Sequence, residues 1–335
     1  MNKVQPHIPT LLDKLCANFH SWLTQEVVEE AQRLNPWFSA ADITHAALAI
    51  EEQYLNHEKL VSWLTLHPTL PVAEPKVVGV VAAGNIPLAG FFDVLCVVAA
   101  GHRCVVRTSS KDKPLMEAVI RGLRECGAWV EFMDGSVALD ALIASGSDTT
   151  METIGKTYAD IPTLLRGHRN SVAIISGNES DAQLVSLGED MFRYNSMGCR
   201  NVTLLWVPES YDIAHLVRGV QGAGSIVSHK YVNAYRQLRA TAILTGEPLI
   251  EGGFFLLAES PKGEFPTRPA EVHVARYSHV EQVERWLHNN DTIIQCVAGG
   301  ELVKHPRAAA FGRAQWPSLW EWPDGVDVLD FLAHV

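Results

Sequence analysis

The sequence has few basic residues and no basic cluster. Its 335 residues include 27 Lys and Arg against 38 Asp and Glu, which gives a formal net charge of −11. No run of Lys or Arg exceeds two residues. Because neutralising a phosphate backbone requires clustered cations, this composition excludes nucleic acid as an expected partner.

The sequence also lacks paired cysteines. Its six cysteines are scattered and form no CxxC pair: Cys16, Cys96, Cys104, Cys126, Cys199 and Cys296. This spacing argues against a disulfide framework and against structural zinc. It predicts a reducing, cytoplasmic compartment and no bound metal.

No apolar signal core is present at the amino terminus, MNKVQPHIPTLLDKL, so secretion is not predicted. The only apolar stretch of membrane length, Val77 to Gly101, contains a single charge, Asp93. Gly84, Asn85, Pro87 and other turn residues interrupt it and would leave backbone groups unpaired in lipid. We therefore predict a strand, a turn and a buried helix, and no membrane span.

What is present is a repeated alternation of helical and apolar segments. Residues 10–33 and 39–66 show helical periodicity. After them, short apolar runs alternate with helix candidates, a pattern typical of a parallel sheet covered on both faces. The runs are Val77 to Ala82, Cys104 to Arg107, Val130 to Met133 and Leu142 to Ala144, and the helix candidates are Phe91 to Ala100 and Pro114 to Cys126. A second α/β pattern starts near Asn170, and 47% apolar residues over this length predict two lobes.

A G-x-G-x-x-G dinucleotide fingerprint is missing. The nearest segments are AAGNIPLAG, after the first apolar run, and ASGSDTT, after the fourth. Each alone is equally compatible with a tight turn that binds nothing.

Several segments, taken in order, carry a family resemblance. GVVAAGNIPLAG, AAGHRCVVRTSSKDKP, ASGSDTT, LLRGHRNSVAIISG and NSMGCRNV resemble successive landmarks of the aldehyde dehydrogenase superfamily, and in particular its acyl-CoA reductase (LuxC-like) branch. The segment FGRAQWPSLWEWPDGVDVLDFL is similar to that branch's carboxyl-terminal signature. The landmarks span about Lys76 to Leu332.

The resemblance implies an aldehyde-dehydrogenase-like α/β fold. It comprises a Rossmann-type, parallel-sheet cofactor domain and a second α/β catalytic domain. We expect a helical segment at 1–70 that packs on the cofactor domain, a dinucleotide-binding domain at 71–165, a catalytic domain at 166–305, and a segment at 306–335 that returns to the cofactor domain or forms a subunit interface.

The resemblance places the nucleophile at Cys199, which follows a glycine just before an apolar strand. The alternative is a buried thiol, since free cysteine is usually buried. Attack on a carbonyl carbon requires a thiolate. Arg193, Arg200 and His168 are the candidates to promote its formation. Asn85 matches the superfamily's oxyanion-binding asparagine, which acts with the backbone N–H of the nucleophile; alternatively, it is only a turn residue before a proline.

Cofactor residues are likewise implied by the resemblance. They are Ala83 and Gly84 in the first turn, Arg107, Ser109, Ser110 and Lys111 in VVRTSSK, and Gly146, Ser147 and Asp148 near the nicotinamide half. Positive charge and hydroxyl donors in VVRTSSK suit a 2′-phosphate, so we expect NADPH in preference to NADH. The alternative for VVRTSSK is a solvated strand end.

The chain departs from the superfamily pattern at three places, of which one is VVRTSSK, where the superfamily often has Lys-Pro-Ser-Glu. Leu165 stands where hydrolytic members carry a glutamate base, and leucine cannot activate water. Glu271 is the nearest glutamate to the expected Glu-x-Phe-Gly-Pro motif but is out of register. His229 is either a pocket or a surface residue, and Trp316, Trp320 and Trp322 form either an acyl-chain wall, core or a subunit interface.

The expected activity is reduction of an acyl-CoA, or another acyl thioester, to the aldehyde by NADPH through a cysteine thioacyl intermediate. Two alternatives stay open: an acyl-phosphate reductase of the same fold, and a non-catalytic binding protein of that fold. We also expect a homo-oligomer and a partner enzyme that activates or transfers the acyl group.

Overall fold

The computed structural model describes residues 7–135, 137–299 and 302–335. Residues 1–6 of the expected N-terminal segment therefore lie outside the described residues. The chain divides into two compact units: the first runs to His168 and includes Ser318–Val335, and the second is Arg169–Pro317. The boundaries expected from the sequence, after residues 165 and 305, lie N-terminal to these division points.

The first unit is built on a five-stranded parallel sheet in the order β3-β2-β1-β4-β5. The middle residues of the three central strands are buried, which accounts for their apolar sequence, whereas Arg103 and Arg107 at the two ends of β2 are exposed. The short, half-buried strand β5 was not predicted. The strands are β1 (Val77–Val81), β2 (Arg103–Arg107), β3 (Val130–Phe132), β4 (Ala141–Ser145) and β5 (Thr163–Arg166).

Helices cover this sheet and extend toward the amino terminus. They are α1 (Ile8–Trp22), α2 (Gln25–Leu34), α3 (Ala40–Gln53), α4 (His57–Thr65), α5 (Phe91–Ala99), α6 (Lys113–Cys126) and α7 (Asp148–Thr157). The first predicted helix is in fact two, because Thr24 caps α2 by accepting the Val27 N–H.

The amino-terminal helices pack on α5 and α6. The Phe19 and Phe91 rings lie 5.1 Å apart. A Cβ at Gly122 would overlap the indole of Trp22, so this close approach of α1 to α6 requires glycine.

Helix α5 is buried along its whole length, which confirms the strand, turn and buried helix predicted for the apolar stretch. Its one charge, Asp93, accepts a hydrogen bond from Arg166 at 2.6 Å, and both side chains are buried. Pairing is what allows a carboxylate to occupy this apolar layer. No helix in the described part of the chain has both the length and the apolarity needed to cross a membrane.

The second unit holds a seven-stranded sheet in the order β12-β11-β6-β7-β10-β9-β8, parallel except for the β8–β9 pair. Its core includes Trp206 and Val297 from the sheet and Val283 from a covering helix. The elements are β6 (Asn170–Ile174), α8 (Asp181–Phe192), β7 (Val202–Pro208), α9 (Ile213–Val220), α10 (His229–Thr245), β8 (Ile250–Glu251), β9 (Leu256–Glu259), β10 (Glu271–Tyr277), α11 (Val280–Asn289), β11 (Ile294–Ala298) and β12 (Ala308–Ala309).

The last residues of the chain, with helix α12 (Val328–Ala333), belong to the first unit. The Trp322 ring packs 5.7 Å from Trp63 and 5.9 Å from Phe92. His102 Nε2 donates to the Leu332 carbonyl at 2.9 Å. Trp316 instead belongs to the second unit and lies under the guanidinium of Arg313, so the three tryptophans do not form one cluster within a unit.

Candidate active site

Cys199 is the one exposed cysteine of the six. Cys96, Cys104 and Cys296 are buried, and Cys16 and Cys126 are half-buried. Burial raises the pKa of Cys16 to about 11 and also raises the pKa values of Cys96 and Cys104 above the ordinary value of a thiol. Accessibility thus favours Cys199 as the reactive thiol.

The turn before Cys199 has an unusual backbone. Tyr194, Asn195 and Ser196 have φ values of 55°, 57° and 58°, a left-handed conformation that is costly for residues other than glycine. The Ser196 hydroxyl donates to the Met191 carbonyl at 2.7 Å. The Asn195 side chain accepts the Ser228 N–H at 2.8 Å. These bonds hold the chain in the turn that carries Cys199 to the amino end of β7.

Asn201, which is 1% exposed, anchors the Cys199 loop through hydrogen bonds of its side chain. Its side-chain oxygen accepts the Gly198 N–H at 2.8 Å. Its amide nitrogen lies within hydrogen-bond distance of the carbonyls of Asp190, Met191 and Arg193, at 3.1, 3.3 and 2.8 Å. The Ser171 hydroxyl donates to the Cys199 carbonyl at 2.8 Å. Asn201 was not singled out from the sequence, although it lies within the NSMGCRNV landmark.

Two of the three expected thiol activators are engaged by other groups. Arg193 makes an ion pair with Glu189, with Nη2 2.5 Å from the carboxylate. Arg200 Nε donates to the Ala314 carbonyl at 2.5 Å, and its Nη2 is 3.8 Å from the sulfur of buried Cys296. His168 is exposed and belongs to the first unit.

In the first unit, the expected cofactor residues lie at the carboxyl edge of the parallel sheet: Arg107 is the last residue of β2, and the others follow strands. Ala83, Gly84 and Asn85 follow β1, Ser109 to Lys111 follow β2, and Gly146 to Asp148 follow β4. Strands β2 and β4 lie on opposite sides of β1, so the chain reverses its direction of winding there. This switch point is where open α/β sheets bind their ligands.

The turn after β1 is tightly supported. A Cβ at Gly84 would overlap Ser109, so the turn can lie against the β2–α6 loop only with glycine there. Asp112, 0% exposed, accepts the Leu88 N–H at 2.9 Å. Burial raises the pKa of Asp112 well above its ordinary value. Asn85, half-buried, is carried on this turn.

The other expected cofactor residues differ in their exposure and contacts. Arg107, Ser110 and Lys111 are exposed, whereas Ser109 is half-buried and its hydroxyl accepts the Lys111 N–H at 3.3 Å. Ser147 caps α7. The Asp148 carboxylate accepts the His168 N–H at 2.7 Å, so it supports the loop that follows β5.

Leu165, at the position of the glutamate base, lies in β5 and packs in an apolar cluster with Met151 and Leu142. Glu271 pairs with Arg268 at 2.6 Å and with His273 at 3.4 Å. Burial opposes ionisation of Glu271, but the hydrogen bonds from Arg268 and His273 lower its pKa to about 2. His229 is exposed at the first position of α10.

No family model matches the chain. The chain is 22% identical over 304 residues to a long-chain acyl-protein thioester reductase 2 from Photobacterium leiognathi, covering 79% of this chain and 63% of that protein. It therefore spans under two thirds of that relative's length.

Solved structures identify the fold. An acetylating aldehyde dehydrogenase from Geobacillus thermoglucosidasius superposes with a TM-score of 0.65 at 12% identity, over 95% of this chain and 86% of that one. The chain has the aldehyde dehydrogenase fold. In sequence it is similar, at low identity, to the LuxC-like acyl-protein thioester reductases. An NAD+ complex of an aldehyde dehydrogenase from Bacillus cereus matches with a TM-score of 0.60 at 14% identity, over 88% and 72% of the two chains.

Proposed function

We propose that this protein reduces an acyl thioester to the aldehyde with NADPH, using Cys199 as the nucleophile. The observation that carries the proposal is the exposure of Cys199 in a left-handed turn before β7, at the position where the superfamily has its nucleophile. The name of the relative, an acyl-protein thioester reductase, supports the same chemistry.

The chemistry begins with attack of the Cys199 thiolate on the thioester carbonyl carbon. A carbon–sulfur bond forms, the carbonyl oxygen becomes negative, and collapse of the tetrahedral intermediate expels the donor thiolate. We propose that the backbone N–H of Cys199 donates to that oxygen. The resemblance assigns the same role to the side-chain amide of Asn85. The Cys199 sulfur leaves as a thiolate when the reduced carbon is released as aldehyde.

Leu165 supports reduction over hydrolysis. A carboxylate at this position would activate water, but the Leu165 side chain packs among apolar residues and carries no proton acceptor. Without such a base, an acyl group on Cys199 persists long enough to be reduced or to be exchanged with another thiol.

A nicotinamide dinucleotide fits the carboxyl edge of the first sheet. Exposed Arg107 and Lys111 offer positive charge at the end of β2, which is suited to a 2′-phosphate. The turns at Gly84 and Ser147 lie on either side of the switch point and would hold the rest of the cofactor. When bound, the dinucleotide supplies the hydride for the reduction.

The acyl donor follows from the relative's name. A protein-bound thioester or acyl-CoA delivers the same electrophilic carbon, so we propose that an acyl-transferring enzyme supplies the substrate. We also propose a cytoplasmic location, because a free nucleophilic thiol is preserved in a reducing compartment. A homo-oligomer stays part of this proposal.

The test is a panel of acyl-CoA thioesters with NADPH and with NADH, in which aldehyde formation is measured. Cys199→Ala should lower the rate at least about a thousandfold, because it removes the nucleophile. Cys126→Ala, at the half-buried end of α6, is the matched control and should keep the parent rate. An equal rate for Cys199→Ala and the parent would refute the mechanism.

Mass spectrometry of the protein after separate incubations with acyl-CoA and with acyl phosphate identifies the substrate class. An acyl adduct on Cys199 is the expected result, and its formation only from acyl phosphate would favour the acyl-phosphate reductase. Failure to bind either dinucleotide in a thermal-shift assay would instead favour the non-catalytic binding protein.

A further inference from the structure

We infer that Asp190 and Arg200 are positioning residues that hold the Cys199 loop. Both form hydrogen bonds with the backbone of one peptide segment, Gly312–Ala314. The inference rests on the proposed function for its catalytic consequence. Its structural content depends only on contacts within the second unit.

Asp190 lies near the end of α8 and is 1% exposed. Its two carboxylate oxygens accept separate backbone N–H groups, from Gly312 at 2.6 Å and from Ala314 at 2.9 Å. A buried carboxylate that accepts two N–H bonds is costly to remove, because both donors then lose their partner.

Arg200 follows Cys199 directly and forms a hydrogen bond with the same segment. Its Nε donates to the Ala314 carbonyl at 2.5 Å, and Ala314 itself is completely buried. Both backbone polar groups of Ala314 are therefore bonded: the N–H to the Asp190 carboxylate and the C=O to the Arg200 guanidinium. The segment links helix α8 to the residue next to the nucleophile.

A second connection closes the network. The Asp190 backbone carbonyl lies 3.1 Å from Asn201 Nδ2, on the other side of Cys199 from the turn. Asp190 thus touches the Cys199 loop directly through Asn201 and indirectly through Ala314. Gly312, with φ 80°, meets Asp190 in a backbone conformation that other residues rarely adopt.

This arrangement holds the Cys199 loop in place. A loop with an exposed thiol loses entropy when it is ordered, and that cost is offset here by charge-assisted bonds to buried backbone. A displacement of the sulfur by about 1 Å lowers a catalytic rate by about a hundredfold, so loosening either set of hydrogen bonds should slow acylation.

The experiment uses the full chain with Asp190→Asn, Arg200→Lys and the double variant. Glu259→Gln and Arg276→Lys are matched controls in the same unit, because Arg276 also pairs with a carboxylate, Glu259, and donates to the carbonyls of Glu209 and Tyr211. The measurements are hydrogen exchange of the peptide covering residues 195–201 and the single-turnover rate of Cys199 acylation by hexadecanoyl-CoA.

We expect exchange of the loop to rise at least about tenfold in both single variants. Acylation should be about tenfold slower while the half-saturating concentration of hexadecanoyl-CoA stays unchanged. The double variant should lose less than the product of the two single losses, since both residues act through one segment. The controls should leave both measurements at parent values.

Unchanged loop exchange in Asp190→Asn and Arg200→Lys, or an equal change in the controls, would overturn the inference. If Asp190→Asn does not fold, Arg200→Lys alone decides the outcome. If the parent is not acylated at Cys199, the proposed function fails, and hydrogen exchange still shows whether the two residues hold the loop.

Discussion

The turn that carries Asn85 and the loop that carries Cys199 are each held by a buried aspartate, but in different ways. Asp112 receives one backbone N–H, from Leu88, and its other oxygen is buried with no hydrogen-bond partner in the described part of the chain. Asp190 receives an N–H on each oxygen. Burial raises the pKa of Asp190 to about 7, against the opposing effect of its two N–H bonds and of Arg200.

The difference shows how each region is built. The Asn85 turn follows a strand at its carboxyl end, where the sheet itself sets its position, and Gly84 supplies the close contact. The Cys199 loop precedes a strand and has a left-handed backbone at residues 194–196. Hydrogen bonds of Asn201 and Asp190 hold it. Because no strand leads into the Cys199 loop, side-chain hydrogen bonds set its position.

Of the substitutions in these two regions that leave Cys199 intact, removal of the Asn85 amide should have the largest effect on activity. Asn85→Ala should lower the rate of aldehyde formation about a hundredfold or more, because one oxyanion donor contributes about 2.7 to 4 kcal/mol to the transition state. Steady-state kinetics should locate the loss in kcat. Asn18→Ala, an exposed asparagine of α1 in the same unit, serves as the control for that assay. A parent-like kcat for Asn85→Ala would reduce Asn85 to a turn residue.

Asn201→Ala tests the support of the Cys199 loop. The change leaves the Gly198 N–H and several carbonyls without their partner, and we expect a loss of about 3 kcal/mol. Thermal unfolding should show a Tm about 6 to 12 °C lower. Asn290→Ala removes one half-buried bond to Trp286 and is the matched control. Equal Tm values for the two variants would show that the loop does not depend on Asn201.

Gly84→Ala tests the support of the Asn85 turn. The added methyl group overlaps Ser109 and should cost about 1 to 3 kcal/mol through displacement of the turn. Dinucleotide binding, followed by fluorescence, should weaken with it. Adding Ser109→Gly removes the overlapped side chain and should restore part of the lost stability. A double variant as impaired as Gly84→Ala would show that the contact with Ser109 is not the cause.

The pH dependence of stability should show the smallest effect, and it tests the burial of Asp190. The folded-state pKa of Asp190, about 7, lies above its ordinary value of about 4, so the folded protein holds a proton that the unfolded chain releases. This contribution is complete below about pH 4 and is lost as the pH rises to about 7. The charged groups acting on Asp190 are Arg200 and Glu189.

Thermal unfolding of the parent and of Asp190→Asn at pH 5 and pH 8 measures this contribution. The Tm of the parent relative to the variant should fall by a few degrees between the two values. Asp181→Asn, exposed at the start of the same helix, should follow the parent. A Tm of the parent that rises from pH 5 to pH 8 relative to the Tm of Asp190→Asn would show that the pKa shift has the opposite direction.

Much of the fold could be predicted because its signals are local. The apolar runs at Val77 and Cys104 became β1 and β2, and the run with the single charge became the buried helix α5. Strand β5 was missed because its few, half-buried residues carry no strong pattern. The break between α1 and α2 was missed because a threonine cap within an apolar periodicity was not recognised.

The candidate site divides in the same way. The Cys199 prediction came from an ordered series of landmarks, and the exposure of this thiol agrees with the expected nucleophile. Asp190, within α8, and Asp112, just before α6, were not found, because the partners of each are backbone groups distant in the sequence. The roles of Asn85, Arg107 and Lys111 stay predictions.

The sequence by itself determined the α/β class, the two successive sheets and the position of the candidate nucleophile, since apolar periodicity and motif order are properties of neighbouring residues. Only the tertiary structure decided that Ser318–Val335 belongs to the first unit, that Glu271 is paired with Arg268, and that one buried aspartate supports each candidate loop. These features arise from contacts between distant segments, and their energies depend on burial, which a linear pattern does not encode.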